Sequence, residues 1–221
     1  MKVRVHIRRW SRAALRRSAH ALELGFFIAG CGALAISAWA FLEGNWFQAT
    51  EIARFENGSF DSSARADLSL KLNTALPALE GRPPRGAAFS KIEIPRLGIS
   101  AVVVEGVEPR QLKLAVGHVP GTAFPGEPGN VAIAAHRDTF FRSLRDIRAQ
   151  DRITLTTLRG LYEYSVESTA IVDPTAVEIL APTATPELTL VTCYPFSYIG
   201  FAPQRFIVRA RQKSSVSIAW R

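Results

Sequence analysis

Apolar and polar positions divide this chain into three regions of different texture. Residues 24–42 are uncharged throughout, residues 43–88 mix polar residues with glycine and proline, and residues 89–212 alternate short apolar runs with turn signals. As a helix the first run is about 28 Å long, since each residue adds ~1.5 Å, and a hydrocarbon core is roughly 30 Å thick. The pattern predicts an N-terminal transmembrane helix, a stalk and a mainly β domain, with a short tail at 213–221.

The β domain is indicated by β-branched and apolar runs with few helical stretches between them. Roughly eight short strands are expected, which is typical of a closed barrel or a sandwich. Short helices are predicted at 109–116 and 139–149, and the segment 117–129 is expected to be a loop because it is dense in glycine and proline. The clearest predicted strands are 91–94, 100–105, 131–135, 152–158, 162–172, 187–193 and 205–211.

The strand at 187–193 places a cysteine at its last position. Pro195 cannot donate to a ladder, so the strand is expected to stop there and the Cys193 side chain can meet solvent. The chain resumes as a strand that begins at Arg205. If the two strands pair as a hairpin, Cys193 and Arg205 lie at the same end of the sheet. A thiol that attacks a carbonyl benefits from such a cation, which favours the thiolate and stabilises a developing oxyanion.

Two histidines could supply the proton donor that such a thiol needs for its leaving group. His136 follows the strand 131–135, whereas His118 lies in the predicted loop 117–129. A strand end fixes a side chain better than a loop does, so His136 is preferred. Each candidate also has a plain structural interpretation, because a cysteine in an apolar strand is often a small core residue and a lone histidine is often structural.

The net charge of +8 is concentrated at the N-terminus. Seven basic residues and one acidic residue precede residue 24, so the first 23 residues carry +6 and the rest of the chain carries +2. This distribution argues against a nucleic-acid-binding face on the main domain. It also predicts that segment 1–23 is a cytoplasmic tail and that 89–212 lies outside the cell membrane. A cleaved signal peptide is the alternative, because Ala38-Trp39-Ala40 offers an A-x-A site.

The chain has two cysteines and no metal-binding motif. Cys31 lies in the predicted membrane helix, where it is a small hydrophobe that cannot pair with Cys193. Neither a CxxC nor an HExxH spacing occurs, so no metal and no cofactor is predicted. Cys193 is then a lone thiol in an exported domain, where a free thiol is a liability.

Four segments of the domain, taken together and in this order, resemble the sortase family. TLVTC at 189–193 is similar to the family's TLxTC signature, NVAIAAHRDTFF at 130–141 to its histidine segment, and APQRFIV at 202–208 to its arginine strand. The segment 117–129 resembles the loop that precedes the histidine in many members. The similarity covers about 91–211, and the short loops and the TLxTC form look closest to class D.

The resemblance implies an eight-stranded closed β-barrel with one or two short helices, carried behind a membrane anchor and a stalk. It also implies a cysteine transpeptidase that cleaves an LPxTG-like C-terminal sorting motif of other exported proteins. A thioester would form on the enzyme and pass to an amine acceptor, either a cell-wall precursor or a pilin lysine. By resemblance Cys193 is the nucleophile, His136 the acid and base, and Arg205 the oxyanion donor.

Other interpretations are open at the level of the sequence. An L,D-transpeptidase carries histidine two residues before its cysteine, and that position here is Val191. A papain-like protease places its cysteine at the start of a helix, whereas Cys193 is predicted at the end of a strand. A peptidase of different specificity, or a membrane-anchored binding or scaffold domain with an inert cysteine, completes the alternatives.

Overall fold

The structure, a computed structural model, describes residues 12–60, 82–197 and 200–217. The chain divides into two compact units, Met1–Glu43 and Gly44–Arg221. The predicted tail at 1–23, the stalk at 43–88 and the tail at 213–221 lie partly outside the described residues.

One long helix, α1, runs from Arg12 to Phe60. Its segment Leu22–Ala53 is long and apolar enough to cross a membrane, and its most apolar window is not buried inside the protein. Phe26 and Trp39 show how exposed these side chains are, at 77% and 73%. A helix that is apolar on all sides and uncovered is typical of a membrane span. The predicted run 24–42 lies within this helix, which continues unbroken into the region predicted to be a stalk.

Within the described residues, eight strands close into a barrel in the order β1-β2-β3-β4-β7-β8-β6-β5, which confirms the expected fold. The pairs β2–β3 and β4–β7 are parallel, and the other pairs are antiparallel. The strands are β1 Ala88–Ile94, β2 Ile99–Glu105, β3 Val116–His118, β4 Asn130–Ala134, β5 Arg152–Thr157, β6 Gly160–Val172, β7 Glu187–Tyr194 and β8 Gln204–Ser217. A short helix α2 spans Pro109–Leu114, and 3₁₀ helices span Pro95–Leu97, Arg142–Asp146 and Val177–Leu180.

The helix predicted at 139–149 is a 3₁₀ helix over Arg142–Asp146 instead. Phe141 and Leu144 are fully buried, and Ile147 packs against the same core. These residues are three apart, which suits the three residues per turn of a 3₁₀ helix. Burial of this row therefore decides the local conformation.

Strand β3 is the strand that the sequence pattern did not predict. It has three residues, pairs in parallel with β2 and pairs antiparallel with β4. A Cβ atom on Gly117 would lie 2.3 Å from the carbonyl oxygen of Gly106, so glycine is what permits this close approach. The expectation that 117–129 is wholly a loop is wrong at its first two residues, because so short a strand has no period to detect.

The C-terminal part of helix α1 covers the outer side of strand β2. Val102 belongs to a small buried cluster against which Phe47 and Ile52 of α1 pack. Between these two helix residues, the Gln48 Oε1 accepts a hydrogen bond from the Val102 N–H (2.9 Å), and its Nε2 donates to the Leu114 carbonyl (2.7 Å). This polar bridge satisfies one backbone group of β2 and one at the end of α2.

Candidate active site

Strand β7 directs Cys193 to the outer face of the barrel. Leu188 and Leu190 are fully buried in the core, and successive side chains on a strand point to opposite faces. Cys193 stands one residue before the end of β7 and is partly exposed. The thiol is therefore accessible from outside the barrel.

Arg205 is the direct cross-strand partner of Cys193. The antiparallel ladder between β7 and β8 pairs these two residues, which confirms that they lie at the same end of the sheet. Directly opposite residues share one face, with Cα atoms about 4.5–5.5 Å apart. Arg205 therefore lies directly across the ladder from Cys193 and can approach the thiol without reaching around a strand end.

The guanidinium of Arg205 is hydrogen-bonded to the backbone where the connection between β7 and β8 meets β8. Its Nη1 donates to the carbonyls of Ala202 (3.3 Å) and Gln204 (3.0 Å). Both bonds come from one nitrogen, so Nε and Nη2 have no hydrogen-bond partner within residues 12–60, 82–197 and 200–217. Those donors are available to a carbonyl oxygen or an oxyanion.

His136 follows strand β4 by two residues, on the opposite side of Cys193 from Arg205. The parallel ladder pairs Ala134 with Val191, and the N–H of Ala135 donates to the Val191 carbonyl at 3.2 Å. His136 lies two residues past Ala134 and Cys193 two residues past Val191, so the two residues lie at the same end of the neighbouring strands β4 and β7. The His136 side chain is exposed and makes no hydrogen bond to any described residue.

The ends of three neighbouring strands, β4, β7 and β8, thus bring the candidate residues His136, Cys193 and Arg205 to one end of the sheet, and we call these three candidates the catalytic row. The neighbouring row on the same face of the sheet is apolar. It consists of Ala134, Val191 and Ile207.

A carboxylate stands near the catalytic row. Asp173 follows Val172, the residue of β6 that pairs with Arg205. Hydrogen bonds from the Thr175 hydroxyl (2.6 Å) and N–H (2.9 Å) lower the pKa of Asp173, and the charge of Arg205 lowers it further. Asp173 therefore carries a negative charge at neutral pH near the guanidinium.

His118 ends strand β3 inside a buried cluster. Its Nδ1 lies 2.6 Å from the Glu105 carboxylate, and its Nε2 lies 2.9 Å from the Ala123 carbonyl oxygen and 3.0 Å from the Thr122 hydroxyl. A carbonyl oxygen only accepts hydrogen bonds, so Nε2 carries a proton and donates it. The ring is fully buried with both nitrogens engaged, and it is not a member of the catalytic row.

Asn130 is a buried polar residue that the sequence patterns did not single out. Its Nδ2 donates to the carbonyls of Ile179 (3.0 Å) and Ala181 (3.4 Å), and its Oδ1 accepts from the Thr189 hydroxyl (2.8 Å). These bonds hold the connection between β6 and β7 against strands β4 and β7. No local signal marks Asn130, because its partners are at least 49 residues away in the chain.

In the parts of the chain that the structure describes, no three His, Cys, Asp or Glu side chains are grouped to hold a metal ion.

The fold is a closed eight-stranded β-barrel that carries a cysteine at the end of one strand. The sequence model of the sortase domain matches residues 92–213, more than half of the chain. The chain therefore belongs to the sortase family, whose members are cysteine transpeptidases.

Individual relatives agree with this assignment. The chain is 35% identical over 132 residues to Sortase D of Bacillus subtilis (strain 168), which covers 59% of this chain and 67% of that protein. It matches the structure of sortase E from Streptomyces avermitilis with 31% identity and a TM-score of 0.53, over 61% and 93% of the two chains. A Clostridium perfringens Sortase D5 transpeptidase shares the fold with a TM-score of 0.61 at 24% identity, over 78% of this chain and 99% of that one. The resemblance to class D is thereby confirmed.

Proposed function

We propose that this chain is a membrane-anchored transpeptidase that cleaves an LPxTG-like sorting motif near the C-terminus of other exported proteins. It transfers each cleaved protein to an amine on the cell surface, either of a cell-wall precursor or of a pilin lysine. The observation that carries the proposal is the ladder pairing of Cys193 with Arg205, with His136 one strand away. A thiol, a cation and an imidazole in one accessible row are the groups that thiol acyl transfer requires.

Acylation begins when the Cys193 thiolate attacks the backbone carbonyl carbon of the scissile peptide bond. The carbonyl oxygen becomes an oxyanion, which accepts hydrogen bonds from the Arg205 donors that have no described partner. The C–N bond then breaks, and His136 gives a proton to the departing amine. A thioester between Cys193 and the substrate remains.

Transfer runs the same steps in reverse with a different amine. The acceptor amine attacks the thioester carbonyl while His136 removes its proton, and the Cys193 sulfur leaves as the thiolate. The products are a new amide bond and regenerated enzyme. If water attacks instead of an amine, the outcome is hydrolysis.

The proposed location follows from helix α1. Phe47 and Ile52 pack against the barrel, which supports a membrane span that ends before them, near 24–42. The basic residues that precede the span favour a cytoplasmic N-terminus, which leaves the catalytic row on the outer side. A membrane-impermeant thiol reagent added to intact cells is expected to label Cys193 and leave Cys31 unlabelled. Labelling of Cys193 only after lysis would contradict this orientation.

The enzymatic proposal is tested with the full-length chain in detergent micelles. We expect incubation with an LPxTG-containing peptide to give an adduct on Cys193 that mass spectrometry identifies as a thioester. Added amine is expected to release the peptide as an amide. A chain that alkylates at neutral pH but never forms the thioester would point to a different substrate, and an unreactive thiol would favour the non-enzymatic alternative.

A further inference from the structure

The connection between β7 and β8 joins the two main members of the catalytic row, since Cys193 precedes it and Arg205 follows it. It is held by a residue from a third element. The Arg137 guanidinium donates through Nη1 to the Pro195 carbonyl (3.0 Å) and through Nη2 to the Gly200 carbonyl (3.0 Å). These partners are 58 and 63 residues away from Arg137 along the chain.

The two hydrogen bonds hold the connection at two separate residues, Pro195 and Gly200. A guanidinium is planar and presents its donors as a rigid fork, so one side chain can fix two carbonyls at a set spacing. Arg137 is half-buried and directly follows His136, whose position is set by strand β4. The guanidinium of Arg137 therefore fixes the position of the connection relative to the end of β4, where His136 lies.

The connection in turn supports the guanidinium of Arg205. Arg205 donates to the carbonyl of Ala202, which belongs to the connection that Arg137 holds at Gly200, and to the carbonyl of Gln204, the first residue of β8. The chain of contacts thus runs from Arg137 through the backbone of the connection to the proposed oxyanion donor. Cys193 lies outside this chain of contacts, because the ladders of β7 with β4 and β8 hold it in place.

We propose that Arg137 is a positioning residue that holds the β7–β8 connection so that Arg205 is aimed at the carbonyl under attack. The proposal rests on the proposed function and adds a residue that acts through Arg205 rather than on the substrate. It distinguishes the stabilisation of the oxyanion from the reactivity of the thiol. Loss of Arg137 is expected to impair stabilisation of the oxyanion and to leave the reactivity of the thiol unchanged.

The test compares Arg137→Ala and Arg137→Lys with the wild-type chain. We expect thioester formation with the LPxTG-containing peptide to slow on the order of 10- to 100-fold in both variants, mainly in kcat, which is the scale of a small misplacement of a catalytic group. Lysine keeps the charge and loses the fork, so it should not restore the rate. Alkylation of Cys193 by iodoacetamide should stay within about twofold of wild type, because that reaction forms no oxyanion.

A matched control is Arg142→Ala. Arg142 is exposed, lies five residues further along the same segment, and makes no side-chain hydrogen bond to any described residue. Its replacement is expected to leave both thioester formation and alkylation unchanged. Guanidinium ion at millimolar concentration should partly restore the Arg137→Ala variant and should not affect the control.

A double-mutant cycle with Arg205→Lys decides between positioning and general support of the fold. If Arg137 acts through Arg205, adding Arg137→Ala to Arg205→Lys should cost little further rate, whereas independent effects would multiply. Full additivity, or a parallel loss of alkylation and thermal stability, would overturn the proposal, as would a variant as fast as wild type. A wild-type chain that forms no thioester would instead contradict the proposed function itself.

Discussion

Two strand ends of this barrel carry a histidine, and their surroundings are opposite. His118 ends β3 with its ring fully buried, its Nδ1 on the Glu105 carboxylate and its Nε2 on internal oxygens. His136 lies just past β4 on the surface, and its ring has no hydrogen-bond partner among the described residues. An imidazole whose two nitrogens both form hydrogen bonds inside the protein stabilises the fold. An exposed imidazole without such bonds can exchange protons with a substrate.

The same contrast separates the cysteine and the arginine of the catalytic row from the rest of the barrel. Cys193 and Arg205 face outward from strands whose other face is packed core. By contrast, Thr189, which faces outward from β7, is held within the fold, because its hydroxyl donates to Oδ1 of Asn130, and Asn130 in turn donates to the carbonyls of Ile179 and Ala181. The candidate site therefore consists of side chains whose positions the fold sets, but which keep polar atoms without a hydrogen-bond partner among the described residues.

The largest effect is expected from Cys193→Ala. Removal of the nucleophile should lower the rate of peptide transfer by at least about 10³-fold. The melting temperature should hardly change, because the side chain is small, outward-facing and partly exposed. Transfer is measured by mass spectrometry and melting by circular dichroism, with Cys31→Ala as the control that should stay active. Residual transfer near the wild-type level would remove Cys193 from the mechanism.

The two histidines should respond in opposite ways to the same substitution. His136→Ala is expected to lower transfer on the order of 10²- to 10⁴-fold, the range of general acid–base catalysis, with little loss of stability. His118→Ala should keep measurable turnover per folded molecule. It should lower the free energy of unfolding by roughly 3–5 kcal/mol, because the Glu105 carboxylate is left buried without its partner.

The measurements are turnover at a temperature where both variants are folded, and urea denaturation. Glu105→Gln provides a second variant of the buried cluster that leaves His118 in place, and it should also lose stability while keeping turnover. An inactive His118→Ala beside an active His136→Ala would reverse the assignment of the two residues.

Arg205→Lys tests whether Arg205 contributes hydrogen bonds or only charge. Lysine keeps the positive charge and loses the planar fork. If Arg205 donates to the oxyanion, kcat should fall about 10²-fold, the scale of losing one oxyanion donor. The rate of Cys193 alkylation as a function of pH is measured alongside kcat, and it should change little because the charge remains. A lysine variant with near-normal kcat would leave Arg205 with an electrostatic role alone.

The smallest effect is expected for the ion pair of Arg96 and Asp151, which lies outside the catalytic row. A hydrogen bond from Arg96, assisted by the N–H of Arg148, lowers the pKa of Asp151 below its ordinary 3.8. The stabilisation by this pair is therefore fully present above about pH 4 and is lost as the pH falls through the lowered pKa. Because Arg96 is 40% exposed, solvent screens the pair and its contribution to stability should be small.

Urea denaturation at pH 7 and pH 3 measures this contribution. Asp151→Asn should be slightly less stable than wild type at pH 7 and should lose less stability than wild type on acidification. Turnover at neutral pH should be unchanged, since Asp151 lies outside the catalytic row. Equal acid sensitivity of both chains would show that other carboxylates carry the effect.

Much of this architecture follows from the sequence alone. The uncharged run 24–42 required a helix long enough to cross a membrane, since no other structure satisfies its backbone in an apolar medium. The alternating runs 187–193 and 205–211 predicted strands, and the structure has β7 and β8 there. The same alternation and the proline after it predicted a reactive-looking cysteine at a strand end. These features depend on neighbours within a few residues, which is the distance over which a sequence pattern carries information.

Tertiary structure alone decided the features whose partners are distant in the chain. The three-residue strand β3 exists because β2 and β4 flank it, and the burial of His118 follows from its meeting with Glu105. Arg137 looked like an ordinary polar residue until the fold brought it to carbonyls 58 and 63 residues away. Strand pairing sets such contacts through the closure of the barrel, and that closure depends on all eight strands at once.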